Sequence, residues 1–143
     1  MTDLLQAGRI VLSIPLALGI IAFVAFQWNT THVFNPKWHP HARFHAVQLG
    51  LFFITLSGIG LWLLWGAAIG PPTAAWLAAA VPFVFWGGEF AALAVTGTDP
   101  SPDPANPNTF PLLGVHVHGN LFFSAIMMIF SLAGTVLLVT GSI

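Results

Sequence analysis

The sequence predicts an all-α protein, a four-transmembrane-helix bundle. Its 143 residues are 57% hydrophobic and only 5% charged, with a mean hydropathy of +0.88. Four apolar segments are each long enough to cross ~30 Å of hydrocarbon as helices. Backbone groups in lipid must be satisfied locally, which favours helices over an open sheet. We therefore expect a single integral membrane domain over residues 1–143, in a bacterial inner membrane.

The four predicted spans are about Gly8–Trp28, His41–Trp65, Thr73–Gly97 and Gly114–Thr140. The first lies where a signal peptide would, but it lacks a small-residue cleavage motif and leads directly into a polar loop, so we interpret it as a retained span. Pro40 and Pro111 stand where helices are expected to begin, which suits a residue without a backbone donor. Four glycines within the spans are expected to allow close contact between helices: Gly58, Gly60, Gly87 and Gly88.

Three loops connect the spans: a polar loop at Asn29–Pro40, a tight turn at Gly66–Pro72 and a Pro-rich acidic loop at Thr98–Leu113. With four spans, the first and third loops share one face of the membrane. Spans two and four begin at that face. Asn29-Thr30-Thr31 in the first loop matches a glycosylation acceptor pattern, but we treat so short a match as accidental.

All six histidines fall in two short stretches next to this shared face: His32, His39, His41 and His45 in the first, and His116 and His118 in the second. Glu89 is the acidic residue that lies within an apolar run. It is expected about eight residues before the end of span three, hence ~12 Å below the face. An ionisable group at such a depth is by default a functional candidate.

Helical spacing predicts that these groups converge. His41, His45 and Gln48 follow one stripe of span two, and His116, Asn120 and Ser124 follow one stripe of span four. Polar stripes in a membrane bundle face the interior or a neighbouring subunit. We therefore expect one cavity, with Phe and Trp side chains closing its floor, surrounded by His41, His45, Glu89, His116 and Asn120.

The residues leave several chemistries open. Imidazoles with a carboxylate suit a transition metal, for which the candidate ligands are His41, His45, His116 and His118, together with Glu89. A single histidine beside an aromatic pocket suits haem. A buried Glu and His suit metal-free acid–base chemistry on an apolar substrate. A noncatalytic alternative is a lipid- or haem-binding subunit, such as an electron carrier using His45 with His116.

Composition excludes other classes. The chain has no Cys, which removes disulfides, thiolate metal sites and a cysteine nucleophile, and no Tyr, which removes a phenol relay. Its net charge of −1, with no basic run, gives no reason to expect nucleic acid as a partner. The expected partners are a small lipophilic substrate and membrane lipid.

Residues 31–45, THVFNPKWHPHARFH, resemble a block in an uncharacterised family of small four-span membrane proteins. The layout is also similar, more distantly, to styrene oxide isomerase. In that family a loop His precedes a Trp and then an Ala-Arg-x-His at the start of span two, matched here by His32, Trp38 and Ala42-Arg43-Phe44-His45. Its acidic residue in span three and its Pro/Asn/Gly-rich loop are matched by Glu89 and the stretch through Asn106-Pro107-Asn108.

This resemblance implies haem b at the subunit interfaces of a trimer, where ferric iron opens an epoxide that rearranges to an aldehyde. His45 would be the axial ligand, beside Arg43 of the shared motif, and Glu89 would stand at the family's buried acid. The additional His116 and His118 suggest a different second ligand or a different substrate, so the cofactor-binding candidates are His45, Arg43 and His116. This chain lacks the family's active-site Tyr, and Leu51 stands where the family has an Asn. Gln48 or Asn120 would then act as donors to the substrate oxygen.

Overall fold

A computed structural model describes residues 3–66, 70–101, 105 and 107–142. These residues form α1 (Asp3–Ala22), which continues into a π-helical turn (Phe23–Gln27), then α2 (Pro40–Trp65), α3 (Pro71–Ala92), β1 (Thr109–Leu112), β2 (Val115–His118) and α4 (Gly119–Thr140). Parts of two predicted loops lie outside the described residues, namely 67–69 of the tight turn and 102–104 and 106 of the Pro-rich loop, including Asn106.

The prediction of an all-α, four-span protein is confirmed. Each of the four α-helices is long and apolar enough to cross a membrane, which makes the chain an integral membrane protein. The helices form one bundle, in which α1 and α3 both pack against α4, and α2 packs against α3 and α1. One core cluster includes Leu12, Leu16 and Leu138, and a second consists of Phe53, Trp86 and Met127.

Close contact between α1 and α4 depends on glycines that the sequence did not single out. A Cβ on Gly8 would lie 2.6 Å from the backbone N of Leu138, and a Cβ on Gly134 would lie 2.6 Å from the backbone N of Leu12. Small residues permit such backbone approach in membrane helices.

Of the four glycines expected to permit close contact between helices, two face a neighbouring helix and two do not. A Cβ on Gly60 would lie 3.1 Å from a methyl carbon of Leu16, and one on Gly87 would lie 3.8 Å from Met128. A Cβ on Gly58 or Gly88 would meet no atom of another helix within 4 Å in the described part of the chain, so the expectation is wrong for these two.

Span three ends earlier than predicted, at Ala92 and not at Gly97. The Thr98 hydroxyl donates to the carbonyl oxygens of Ala92 (2.7 Å) and Val95 (2.9 Å), and Gly97 has a φ of +84°. The Thr98 side chain thus satisfies carbonyl groups that are left free where the helix ends, and Gly97 lies in the turn that follows. Glu89 therefore lies less than one turn, ~4.5 Å, from the helix end, and not ~12 Å.

Span four begins later than predicted, at Gly119 and not at Gly114. Strands β1 and β2 pair antiparallel, with Thr109 opposite His118 and Leu112 opposite Val115. The two residues between them, Leu113 and Gly114, both have positive φ, as a two-residue hairpin turn requires. The prediction that His116 and His118 occupy the first turns of a helix is therefore wrong, because residues 115–118 form a strand.

Gly134→Ala should destabilise the protein by about 1–3 kcal/mol, because its Cβ would meet the α1 backbone, which cannot rotate away. The matched control is Gly88→Ala, in which the added methyl meets open space and the better helix propensity gives a gain of up to ~1 kcal/mol. Unfolding of the two variants in mild detergent, followed by circular dichroism, checks this. Equal stability of both variants would contradict the close contact between α1 and α4.

Candidate functional site: a cavity at the shared membrane face

A cavity of about 460 Å³ opens where the π-helical turn, the end of α3 and the start of α4 meet. Its apolar lining consists of Ala22, Phe23, Phe26, Phe85, Trp86 and Phe123, and its polar lining of Gln27, Asn29, Thr31, His32, Glu89, Asn108, Gly119, Asn120 and Ser124. A second cavity of about 390 Å³ shares four of these residues, Gln27, His32, Glu89 and Asn120. Together they form one region at the face where the loops meet.

Asn29 organises the first wall of the cavity. Its side-chain nitrogen donates to the carbonyl oxygens of Phe26 (2.8 Å) and Ala25 (3.3 Å), which closes the π-helical turn. Its side-chain oxygen accepts from the backbone N of Thr31 (2.9 Å), the Thr31 hydroxyl (2.7 Å) and the backbone N of His32 (3.2 Å). This one amide both ends the first span and fixes the loop that carries His32.

These bonds determine which nitrogen of His32 carries the proton. Thr31 Oγ1 has a single hydrogen, which it donates to Asn29, so at its 2.8 Å contact with His32 Nδ1 it must accept. His32 is then protonated at Nδ1, and its Nε2 carries a lone pair. Burial lowers the pKa of His32 below its usual 6.5, which favours this neutral form.

Glu89 lies on α3 and is half-buried, in contact with both cavities. Trp86 lies one turn earlier on the same helix and is 6% exposed. Its ring packs edge-on against Phe123, with 5.3 Å between the centroids. The indole Nε1 of Trp86 and the hydroxyl of Ser124 are both buried, and neither has a hydrogen-bond partner among the described residues.

His118 joins the Pro-rich loop to α4. Its Nδ1 accepts from the backbone N of Asn120 (3.3 Å), which caps α4, and its Nε2 lies 3.0 Å from the Ser101 hydroxyl. Because Nδ1 accepts, Nε2 carries the hydrogen and donates to Ser101. The Asn120 amide adds a bond of 3.4 Å to the carbonyl oxygen of Pro100. Both ring nitrogens of His118 are therefore engaged in holding the loop in place.

The structure brings only part of the predicted set together. Glu89 and Asn120 line the cavity, as expected, along with the Phe and Trp side chains at its floor. His41, His45 and Gln48 are exposed on α2 and line neither cavity. The stripe that they form is real, but it faces outward from this chain, because the opposite side of α2, with Gly50, Phe53 and Ser57, is the buried one.

The other predicted site residues, His116 and Arg43, also lie outside both cavities. His116 is exposed on β2, opposite Pro111. Arg43 is half-buried, and its Nε has no partner within the described ranges. Across these ranges, no group of three or more His, Asp or Glu side chains is arranged to hold a metal ion.

His32 and Asn29 contribute to the site although neither was among the predicted site residues, and the same holds for Gln27, Thr31 and Asn108 in the lining. The signal for Asn29 was its place directly after an apolar span, because an Asn side chain commonly binds the backbone two residues further on, as it does here at Thr31. His32 could be placed only through that turn, since the residue lies in a loop with no periodicity.

A protein-family model matches residues 11–133 of the chain, and its description is a family of unknown function (DUF6640). No curated protein and no solved structure matches the chain.

The pH dependence of stability should report on His32. Its pKa is lowered in the folded protein, so the unfolded chain binds the proton more tightly, and stability is lost as pH falls below about 6.5. In His32→Gln, the thermal midpoint should fall less between pH 7.5 and pH 5.5 than in the wild type. His116→Gln, at an exposed histidine, is the control. An unchanged pH dependence in His32→Gln would contradict the burial of a neutral imidazole.

His118→Ala should destabilise the protein by about 0.5–2 kcal/mol, because α4 loses its N-cap. His118→Asn should recover most of this loss, since Asn is a good N-cap, but it should leave the loop at Ser101 more open to proteases because the shorter side chain cannot reach that hydroxyl. Detergent unfolding and limited proteolysis measure the two effects separately. No loss of stability in His118→Ala would argue against the cap.

Proposed function

We propose that this chain, which belongs to DUF6640, a family of unknown function, is a membrane-embedded isomerase of small lipophilic substrates such as epoxides. The observation that carries the proposal is that Glu89 and a neutral His32 line the same cavity. One can donate a proton and the other has a free lone pair. Paired groups of this kind are typical of acid–base catalysis.

The cavity suits a small molecule with an apolar body and one oxygen. Its volume of about 460 Å³ falls within the ~300–1,000 Å³ of small-ligand sites. The aromatic floor would hold the apolar body. The indole of Trp86 and the hydroxyl of Ser124 would regain a partner from the substrate oxygen, and a buried polar group without a partner costs about 1–3 kcal/mol.

Isomerisation is the reaction that needs no second reactant. The Glu89 carboxyl gives its proton to the epoxide oxygen, and one C–O bond breaks. A hydride then shifts from the oxygen-bearing carbon to the neighbouring cation, which forms a protonated carbonyl. The proton returns to the Glu89 carboxylate, directly or through His32 Nε2, so the enzyme is unchanged and substrate and product have the same atoms. The aromatic walls keep water from the cation.

The layout that resembles styrene oxide isomerase also favours this class of reaction. We further propose a bacterial inner membrane as the location. The residues predicted to hold haem do not line a common cavity within one chain, since His45, Arg43 and Gln48 lie outside both cavities. We assign no step to haem. A homo-oligomer could cover the exposed face of α2, and a haem role for His45 would require it.

Glu89→Gln should reduce turnover of a small aromatic epoxide by about 10²–10⁴-fold, because the amide keeps the volume but cannot donate the proton. Aldehyde formation by the purified protein in detergent is the measurement. His32→Gln should also lower turnover.

Gln48→Ala and His45→Ala are the matched controls, since both residues lie outside the cavity and should leave turnover unchanged. Loss of turnover in His45→Ala, with full activity in Glu89→Gln, would contradict the cavity as the active site and indicate a reaction at the exposed face of α2. Binding of the epoxide with no turnover in the wild type would leave a noncatalytic lipophile-binding protein.

A further inference from the structure

The outward face of α2 carries a second cluster of chemical groups that the proposed reaction does not use. His41 and His45 lie in the first two turns of the helix, both exposed, and His45 Nε2 is 3.1 Å from His41 Nε2. We propose that this pair binds a divalent transition-metal ion, such as Zn²⁺, through the two Nε2 atoms. The proposal is independent of the isomerase function, because neither residue lines the cavities.

The separation of the two nitrogen atoms fits a shared ion. Zn–N bonds of about 2.0–2.1 Å place two imidazole nitrogens ~3.3 Å apart at a tetrahedral angle and ~2.9 Å apart at a right angle. The 3.1 Å in the structure lies between these limits. The ring centroids are 4.4 Å apart with the planes at 84°, so the two rings converge at their edges and do not stack. An ion could bind with little rearrangement.

Gln48 favours the protonation state of His45 that ligation needs. Gln48 Oε1 lies 3.2 Å from His45 Nδ1, and an amide oxygen only accepts, so Nδ1 carries the hydrogen. The lone pair of His45 is then on Nε2, which faces His41. Metal-bound imidazoles are usually held in this way, with the second ring nitrogen donating to an oxygen of a neighbouring group.

The capped start of α2 fixes the helical backbone that carries His41 and His45. Pro40 is at the first helical position, and His39 Nδ1 accepts from the backbone N of His41, which caps the helix next to the first ligand. Histidines four residues apart lie on one helix face and can share an ion. Two protein ligands leave the other coordination positions to water, or to the same pair on a second copy of the chain across a two-fold axis.

A hydrogen bond from His41 Nε2 to His45 Nε2 would give the same 3.1 Å contact without a metal, and a Zn²⁺ competition titration separates the two cases. Untagged protein in detergent is titrated against a coloured chelator. His41→Ala and His45→Ala should each weaken Zn²⁺ binding at least ~10-fold, and Gln48→Leu should weaken it by about 10-fold. His116→Ala, at an exposed histidine on β2, is the matched control and should bind as the wild type does.

A second measurement counts the ligands. Cu²⁺ added at one equivalent should show two nitrogen couplings by electron paramagnetic resonance in the wild type and one in His45→Ala. Either one ion per chain or one per two chains supports the site, the latter with a second copy contributing its pair. Wild-type Zn²⁺ affinity in both alanine variants, with folding verified by thermal unfolding, would overturn the proposal and leave a hydrogen-bonded pair.

Discussion

The ends of the helices at the shared membrane face must satisfy their free backbone groups next to hydrocarbon, and four polar side chains do so. At the ends of the first span and of α3, the side chains of Asn29 and Thr98 donate to free carbonyl oxygens. At the starts of α2 and α4, the side chains of His39 and His118 accept from free backbone N–H groups. Each cap satisfies backbone groups that the helix itself leaves unpaired, and so favours an end of the helix at that residue. The cavity and the His41–His45 pair both lie next to these helix ends.

The histidines near this face have different roles. His39 and His118 accept backbone hydrogen bonds, His32 lines the cavity, and His41 and His45 face one another on the outer surface of α2. In a chain with so few charges, their clustering reflects the shared face, where polar side chains are tolerated, and not one common site. The histidines therefore do not form a single histidine-rich centre within the described part of one chain.

Small residues on α1, α2 and α4 allow close packing within the bundle. Gly8 and Gly134 let α1 and α4 approach at one end of the bundle. Gly50 and Gly19 instead receive aromatic rings, since a Cβ on Gly50 would overlap the ring of Phe23 and one on Gly19 would overlap that of Phe53. Phe23 lines the cavity and Phe53 stacks on Phe85, another lining residue, at 3.5 Å. Rings packed against glycines support the apolar floor of the cavity, and the polar groups above it come from α3 (Glu89), α4 (Asn120) and the first loop (His32).

The sequence by itself determined the four spans, their shared face and the placement of Glu89 and Asn120 near it, because apolar length and helical period are local properties. It could not determine where α3 ends or α4 begins, since those depend on Thr98 reaching back to Ala92 and on residues 109–118 pairing as a hairpin. It correctly placed His41, His45 and Gln48 on one stripe, but only the packing of Phe53 and Ser57 into the bundle decided that the stripe faces outward. Helical period fixes which residues share a face, and the neighbouring helices decide which way that face points.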